Sequence, residues 1–285
     1  MIDPSCPLLV FGGPYSNLQA TIAMRETALM LKVPACNVIC TGDVVAYAAN
    51  PEETADIIRN WGIQVVAGNC EEQLAEGAAD CGCGFDAGSA CDLLSRGWYP
   101  YALERVSLET RSWMGSLPRS LGFTYHGFKF HTLHGGARQT NRFVFASEKE
   151  VLADEAGELD ADVILAGHAG IPFISRLELD GSSKTWVNAG VIGVPANDGT
   201  PDGWYTVVRP EADELRISLK RLAYDHAAAA AAMRRSGHAN GYARAIITGI
   251  WPSHDILPPQ ESTATGTRLR QRTVRLERHL AAAVS

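Results

Sequence analysis

A chain of 285 residues with 46% hydrophobic and 20% charged residues has ordinary globular composition, long enough for one large core or two modest ones. Its net charge of -7 and pI near 5.6 argue against a broad nucleic-acid surface. No apolar run is long enough to span a bilayer, and the N-terminal MIDPSCPLLVFGGPY carries Asp3 and no basic cluster, so neither a membrane span nor a secretory signal is expected. Seven cysteines is an odd number, and Cys36, Cys40 and Cys70 fall in or beside predicted strands, which suits buried thiols in a reducing cytoplasm.

In chain order, PLLVFGG (7–13) reads as a short central strand. Ser16 offers an N-cap with Gln19 as its capping-box partner, and Leu18, Ile22 and Leu29 mark one face of the helix that follows, which Pro34 ends. ACNVICTGD (35–43) is the next strand, Pro51 opens a helix over 51–61, and IQVVAGN (63–69) is a third strand. Alternation with connections this short predicts right-handed βαβ units and a parallel sheet. Residues 71–118 read as mostly helical around a Gly- and Cys-rich interruption, AADCGCGFDAGSAC (78–91), a loop whose Cys81, Cys83 and Cys91 lack a clear fourth ligand for a metal. Strand-like segments return at 121–134, 141–146, 161–167, 185–194 and 204–208, with 214–224 as the last strand, and predict a second sheet in a layered sandwich. Helices are expected at 227–237 and 239–249. Residues 252–285 change character and place five arginines within RLRQRTVRLERHL (268–280), either a basic tail or a short helix docked on the body or on an acidic partner.

Four predicted strand ends carry a metal-capable side chain beside a glycine: Asp43 after TG, Asn69 after AG, His134 before GG and His168 after LAG. Open α/β folds place their sites at such carboxyl ends. Carboxylate and imidazole suit zinc, iron, manganese or cobalt, and an amide oxygen favours harder ions. Two His, one Asp and one Asn would hold one such cation and leave a position for water or phosphate.

The series GPYSNLQA (13–20), TGDVVAYAANPEE (41–53), AGNCEE (67–72), LHGG (133–136), AGHAG (166–170) and VNAGVIGVP (187–195) resembles the calcineurin-like metallophosphoesterases, in particular their compact bacterial phosphodiesterases and phosphatases. WMGSLP (113–118) and YDHAAAAAAMRRSG (224–237) extend the resemblance to about residues 8–250. It implies a four-layer αββα sandwich of two mixed sheets flanked by helices over residues 1–251, with 252–285 outside it. It also implies two metal sites sharing Asp43, one of them completed by Asn69, His134 and His168. The other site departs from the pattern: where the family has Asp-x-His and Gly-His-x-His, this chain has Gly13-Pro14-Tyr15 and Gly167-His168-Ala169-Gly170, so three ligands are replaced by Gly13, Tyr15 and Gly170.

The resemblance therefore implies a metal-dependent phosphoesterase, atypical in keeping ligands for one divalent transition metal (Mn, Fe, Zn, Co or Ni), acting on a phosphorylated small molecule or a phosphodiester. The alternative is a non-catalytic ligand-binding or regulatory protein on the same fold. Tyr15 is a candidate phosphate donor or a plug of the vacated site, and Cys70 is a candidate nucleophile. Asn17, kept from the first motif, and Arg138, just after the HGG turn, are the candidate phosphate contacts. A homo-oligomer is compatible with this reading.

Overall fold

The structure is a computed structural model that describes residues 1–179, 181–211, 214–238 and 240–277. Its first third alternates strand and helix: β1 (Leu8–Phe11), α1 (Leu18–Met30), β2 (Val38–Cys40), α2 (Pro51–Trp61), β3 (Gln64–Val65) and α3 (Asn69–Glu76). After an irregular connection come α4 (Ala90–Arg105), α5 (Leu108–Gly115), the hairpin β4 (Ser120–Tyr125) and β5 (Phe128–Leu133), α6 (Lys149–Gly157), β6 (Val163–Ala166), β7 (Phe173–Leu179) and β8 (Ser182–Asn188). The chain then returns through β9 (Gly203–Glu211), β10 (Glu214–Leu222), α7 (His226–Ser236), α8 (Asn240–Thr248), α9 (Pro259–Thr263) and β11 (Arg272–Glu277).

Two mixed sheets result, with strand orders β11-β10-β9-β1-β2-β3 and β4-β5-β6-β8-β7. Parallel pairing joins β1 to β2 and β2 to β3, while β9, β10 and β11 run antiparallel. Successive residues of a strand face opposite sides, and β1 shows the consequence. Leu9 and Phe11 pack toward the helices, whereas Leu8 and Val10 enter the core between the sheets with Phe130, Leu165, Val187 and Trp204. A third cluster, with Leu152, Ala156, Ile164 and Trp186, seals α6 onto the second sheet. The four-layer sandwich with helices outside is thus present. Among the described residues, no helix is long and apolar enough to cross a membrane.

Four local expectations differ. The N-cap of α1 is Asn17, whose Oδ1 accepts from Ala20 N at 3.1 Å, one residue later than expected. The same helix buries Ala20, Thr21, Met24 and Ala28, while Ile22 and Leu29 face solvent. Small residues let the helix axis approach the sheet closely, and longer side chains on that face would hold it off. Residues 141–146 form no strand, because Phe143 turns to stack on Phe85, Phe145 and His168.

The fourth difference is at the C-terminal end, expected as a tail or docked helix. Residues 272–277 instead pair with β10 in a six-residue antiparallel register, and Val274 and Leu276 pack against the inter-sheet core. Alternation of Val274 and Leu276 with charged neighbours makes this an edge strand. Arg275 pairs with Glu214, and Arg272 Nη1 donates to the Ile174 carbonyl at 3.0 Å, so part of the expected basic patch is engaged within the fold. Residues 278–285, including the last of the five arginines, lie outside the described residues.

Candidate metal centre

The site forms where β2, β3, β5 and β6 end. Asp43 and His168 both sit at positive φ, +57° and +40°, as do Tyr15 and Ser16 at +51° and +58°. Such backbone costs free energy in non-glycine residues, about 1–3 kcal/mol each, and persists where the surroundings over-determine it. Here Glu71, fully buried at the start of α3, fixes the Asp43 turn. Its carboxylate accepts from Asp43 N at 2.7 Å, Val44 N at 2.8 Å and Gly68 N at 2.9 Å. Burial and the charge of Asp43 push the Glu71 carboxyl up to about 7, against the pull of those N–H groups.

Three ligand atoms from Asp43, His134 and His168 lie within 4.8 Å of one another, all buried. His134 Nδ1–H donates to the Thr41 carbonyl at 2.6 Å, which leaves Nε2 facing Asp43 Oδ2 at 3.3 Å and His168 Nδ1 at 2.9 Å. A neutral His134 would therefore set lone pairs against a carboxylate. Burial disfavours the imidazolium, but Asp43 outweighs it and raises the His134 pKa. Burial followed by the His134 charge drives His168 down to about 3, so its ring is neutral at pH 7. Asp43 is held at about 2: burial works to raise it, and the two histidines overcome that. A centre that needs a positive charge among two imidazole nitrogens and a carboxylate matches what a divalent metal supplies.

Asn69, the fourth residue expected as a ligand, opens α3 after the end of β3. It is 2% exposed, and its Oδ1 is buried without a hydrogen-bond donor. Such an acceptor costs about 1–3 kcal/mol unless a donor or cation meets it. All four residues expected as ligands are thus buried; Asp43, His134 and His168 meet one another, and Asn69 Oδ1 has no hydrogen-bond partner.

The neighbouring positions are filled by aromatic rings. A Cβ on Gly13, itself at φ +42°, would lie 2.4 Å from Tyr15 Cε2 and 2.5 Å from Cζ. One on Gly170, at φ +71°, would meet Trp251 Cζ2 at 3.1 Å, and Trp251 Nε1 anchors that ring on the Pro195 carbonyl at 2.6 Å. Phe143 stacks on His168 with ring centroids 4.2 Å apart. The cavity beside Asp43 and His168, about 60 Å³, is walled mainly by Tyr15, Phe85, Phe143, Tyr242 and Trp251, and among the described residues no Lys or Arg lines it. Neither Phe143 nor Trp251 was evident in the sequence, since a lone aromatic outside the conserved-looking steps reads as core.

The remaining expected site residues fall elsewhere or change role. Asn17 is 1% exposed and fully engaged: besides its cap, Nδ2 donates to the Gly193 carbonyl at 2.8 Å. With a further bond from Nδ2 to the Tyr224 hydroxyl at 3.3 Å, it stitches α1 to the segment at Gly193 and to Tyr224. Arg138 is turned away, its guanidinium paired with Glu158 at the surface. Cys70 is fully buried. A hydrogen bond with the Cys83 thiol favours its thiolate, but burial and the Asp43 charge prevail and hold its pKa well above the usual thiol value, opposite to a nucleophile's requirement. Burial, then the Asp43 charge, likewise keeps the Tyr15 phenol protonated.

Residues 19–213 match the calcineurin-like phosphoesterase superfamily domain. An uncharacterised protein of Methanocaldococcus jannaschii is 24% identical over 230 residues, covering 76% of this chain and 88% of that one. The crystal structure of a metallophosphoesterase from Sphaerobacter thermophilus superposes with a TM-score of 0.66 at 19% identity, covering 86% of this chain and all of the other (100%). A hypothetical protein from Pyrococcus horikoshii OT3 gives 0.68 at 15% identity, over 86% and 99%. These likenesses are of fold.

Proposed function

Because the chain belongs to the calcineurin-like phosphoesterase superfamily, we propose that it is a metal-dependent phosphoesterase that works with one divalent transition metal held by Asp43, Asn69, His134 and His168. The observation that carries this reading is the convergence of three buried, cation-seeking donors, Asp43, His134 and His168, and the buried Asn69 oxygen, which has no hydrogen-bond partner, supports it.

A divalent ion there would polarise a phosphoryl oxygen and lower the pKa of water. The chain's own groups prepare the rest. Thr41 holds the His134 ring so that Nε2 faces the centre, and His168, neutral at pH 7, offers a lone pair without first losing a proton. Phe143 covers one face of His168 and keeps bulk water from it. Tyr15, protonated and beside Asp43 in the cavity wall, is a hydrogen-bond donor for an anionic oxygen. The substrate is a phosphorylated small molecule or a phosphodiester.

A second reading, a binding protein without turnover, is favoured by the aromatic filling beside Gly13 and Gly170. Those are the positions at which a second ion's ligands would stand, and without that ion the transferring phosphoryl group loses charge stabilisation. Metal content per chain, measured together with hydrolysis of bis(4-nitrophenyl) phosphate, separates the two. One ion per chain and metal-dependent turnover, both lost in His168→Ala, support the enzyme. One tightly held ion with no turnover supports the binding protein, and no ion overturns the metal centre itself.

A further inference from the structure

The metal ligands account for none of Cys81, Gly82 and Cys83, which lie in the connection between α3 and α4. Both cysteines are nevertheless buried, at 3% and 4% exposure, and their acceptor atoms meet one side chain. Asn69 Nδ2 donates to the Cys81 carbonyl at 2.9 Å and to Cys83 Sγ at 3.3 Å, with Cys70 Sγ 3.7 Å away. A primary amide carries two N–H protons, so one carbonyl and the sulfurs occupy both. The oxygen at the other end has no donor.

The arrangement decides which end of the amide is which. Rotating it by half a turn would set Oδ1 about where Nδ2 now stands, against the Cys81 carbonyl oxygen, two acceptors in contact. It would also present N–H protons where a cation's ligand is needed. Sulfur is a weak acceptor, so the Cys81 carbonyl supplies most of the preference and Cys83 holds the second proton. Gly82 makes the geometry available: at φ +61° it turns the chain between the two cysteines, and a Cβ there would lie 2.7 Å from Gln73 Cγ. Asn141 Nδ2 donates to the Gly82 carbonyl at 3.0 Å, which ties this turn to the segment bearing Phe143.

The structure assigns the Cys81-Gly82-Cys83 turn a positioning role: its carbonyl and thiol orient the Asn69 amide so that the oxygen is presented to the metal ion. This rests on the one-metal reading of the site. Partners of this kind, one step removed from the ion, typically change metal affinity by about 10–100-fold when lost. The residues are positioning groups, and Cys83 also lines the cavity beside Asp43 and His168.

The test is a cobalt(II) titration of metal-free, full-length protein, followed by visible absorption and by bound metal per chain. Cys83→Ala is expected to weaken cobalt binding about tenfold and to shift the ligand-field bands in the same direction as Asn69→Ala. Cys83→Ser, which keeps an acceptor, should fall nearer the parent protein, and Cys36→Ser should match it. The double variant should bind no more weakly than Asn69→Ala alone, because Cys83 acts through Asn69. Additive losses, an unchanged affinity in Cys83→Ala, or a thiolate-to-cobalt band that this variant abolishes would each overturn the assignment. A parent protein that takes up no cobalt would overturn the one-metal reading, and hydrogen exchange of the Asn69 side-chain amide then judges the turn separately. Slow exchange in the metal-free protein, quickened by Cys83→Ala, supports the orienting contacts; fast exchange in the parent refutes them.

Discussion

The ring of Tyr15 stands where a side chain on Gly13 would project, 2.4 Å from the position of its Cβ. Glycine at position 13 and a large ring at position 15 are therefore coupled in packing. Gly13→Asp should be destabilising by about 2 kcal/mol or more, combining overpacking with a left-handed backbone at φ +42°. In a Tyr15→Ala background the same substitution should cost clearly less, with a coupling of about 1 kcal/mol or more. Urea unfolding of the two single variants and the double variant measures it. Strict additivity would show that the ring does not occupy that space.

Glu71 is the support on which the Asp43 turn depends. Its two carboxylate oxygens receive three backbone N–H groups, and a glutamine would set its own NH₂ against at least one of them. Glu71→Gln is expected to cost about 2–3 kcal/mol in urea unfolding. Cobalt affinity should fall about tenfold, because the Asp43 ligand loses its fixed orientation. A variant of parental stability would mean that the carboxylate is not required to hold φ +57° at Asp43.

His168 sets an acid limb. An unfolded His168 takes up a proton below about 6.5, whereas in the folded, metal-free protein burial and His134 delay this to about 3. Unfolding thus absorbs a proton throughout that window, and stability falls as pH drops from 6.5 toward 3, by up to about 1.4 kcal/mol per pH unit. Glu71, raised to about 7, acts in the opposite sense between its unfolded value near 4.5 and 7, since there it is the folded protein that retains the proton. The diagnostic quantity is therefore the difference between parent and His168→Asn. Urea midpoints from pH 3 to 7, with chelator present, should show a flatter acid limb in the variant.

Much of this was legible in the sequence because it is local. Short apolar runs ending in Gly plus Asp, Asn or His announced β2, β3, β5 and β6 and the four candidate ligands at their ends. What escaped depends on distant partners. The period of Leu18, Ile22 and Leu29 suggested an apolar stripe on α1, yet the face that packs into the core carries Ala20 and Ala28, which permit close approach, with Met24 filling the space between them. The alternation through Phe143 and Phe145 suited a strand, but Phe143 finds His168 and no strand partner. The CGC turn offered two thiols, with Cys91 as a third, and no clear fourth ligand. Its relation to Asn69 appears only when the 77–89 connection folds back over α3.

The arginine-rich end gives the sharpest contrast between the two readings. A disordered tail could be removed with a change within about 0.5 kcal/mol. As β11, the segment pairs along Glu214–Leu219, and Leu269, Val274 and Leu276 cover part of the inter-sheet core. Leu269 also lies on a buried ion pair: Arg221 Nη2 is 2.5 Å from Asp198 Oδ2 and donates to the Leu269 carbonyl at 2.7 Å, while Leu269 N donates to Asp198 Oδ2 at 3.0 Å. Deleting residues 268–285 should therefore cost about 2–4 kcal/mol, from the apolar area returned to water and the two lost bonds. It should also leave β10 as an unprotected edge, so the truncated protein should associate at concentrations where the full chain does not. Urea unfolding and light scattering report the two effects separately. A truncated protein as stable and as dispersed as the parent would return the segment to the status of a tail.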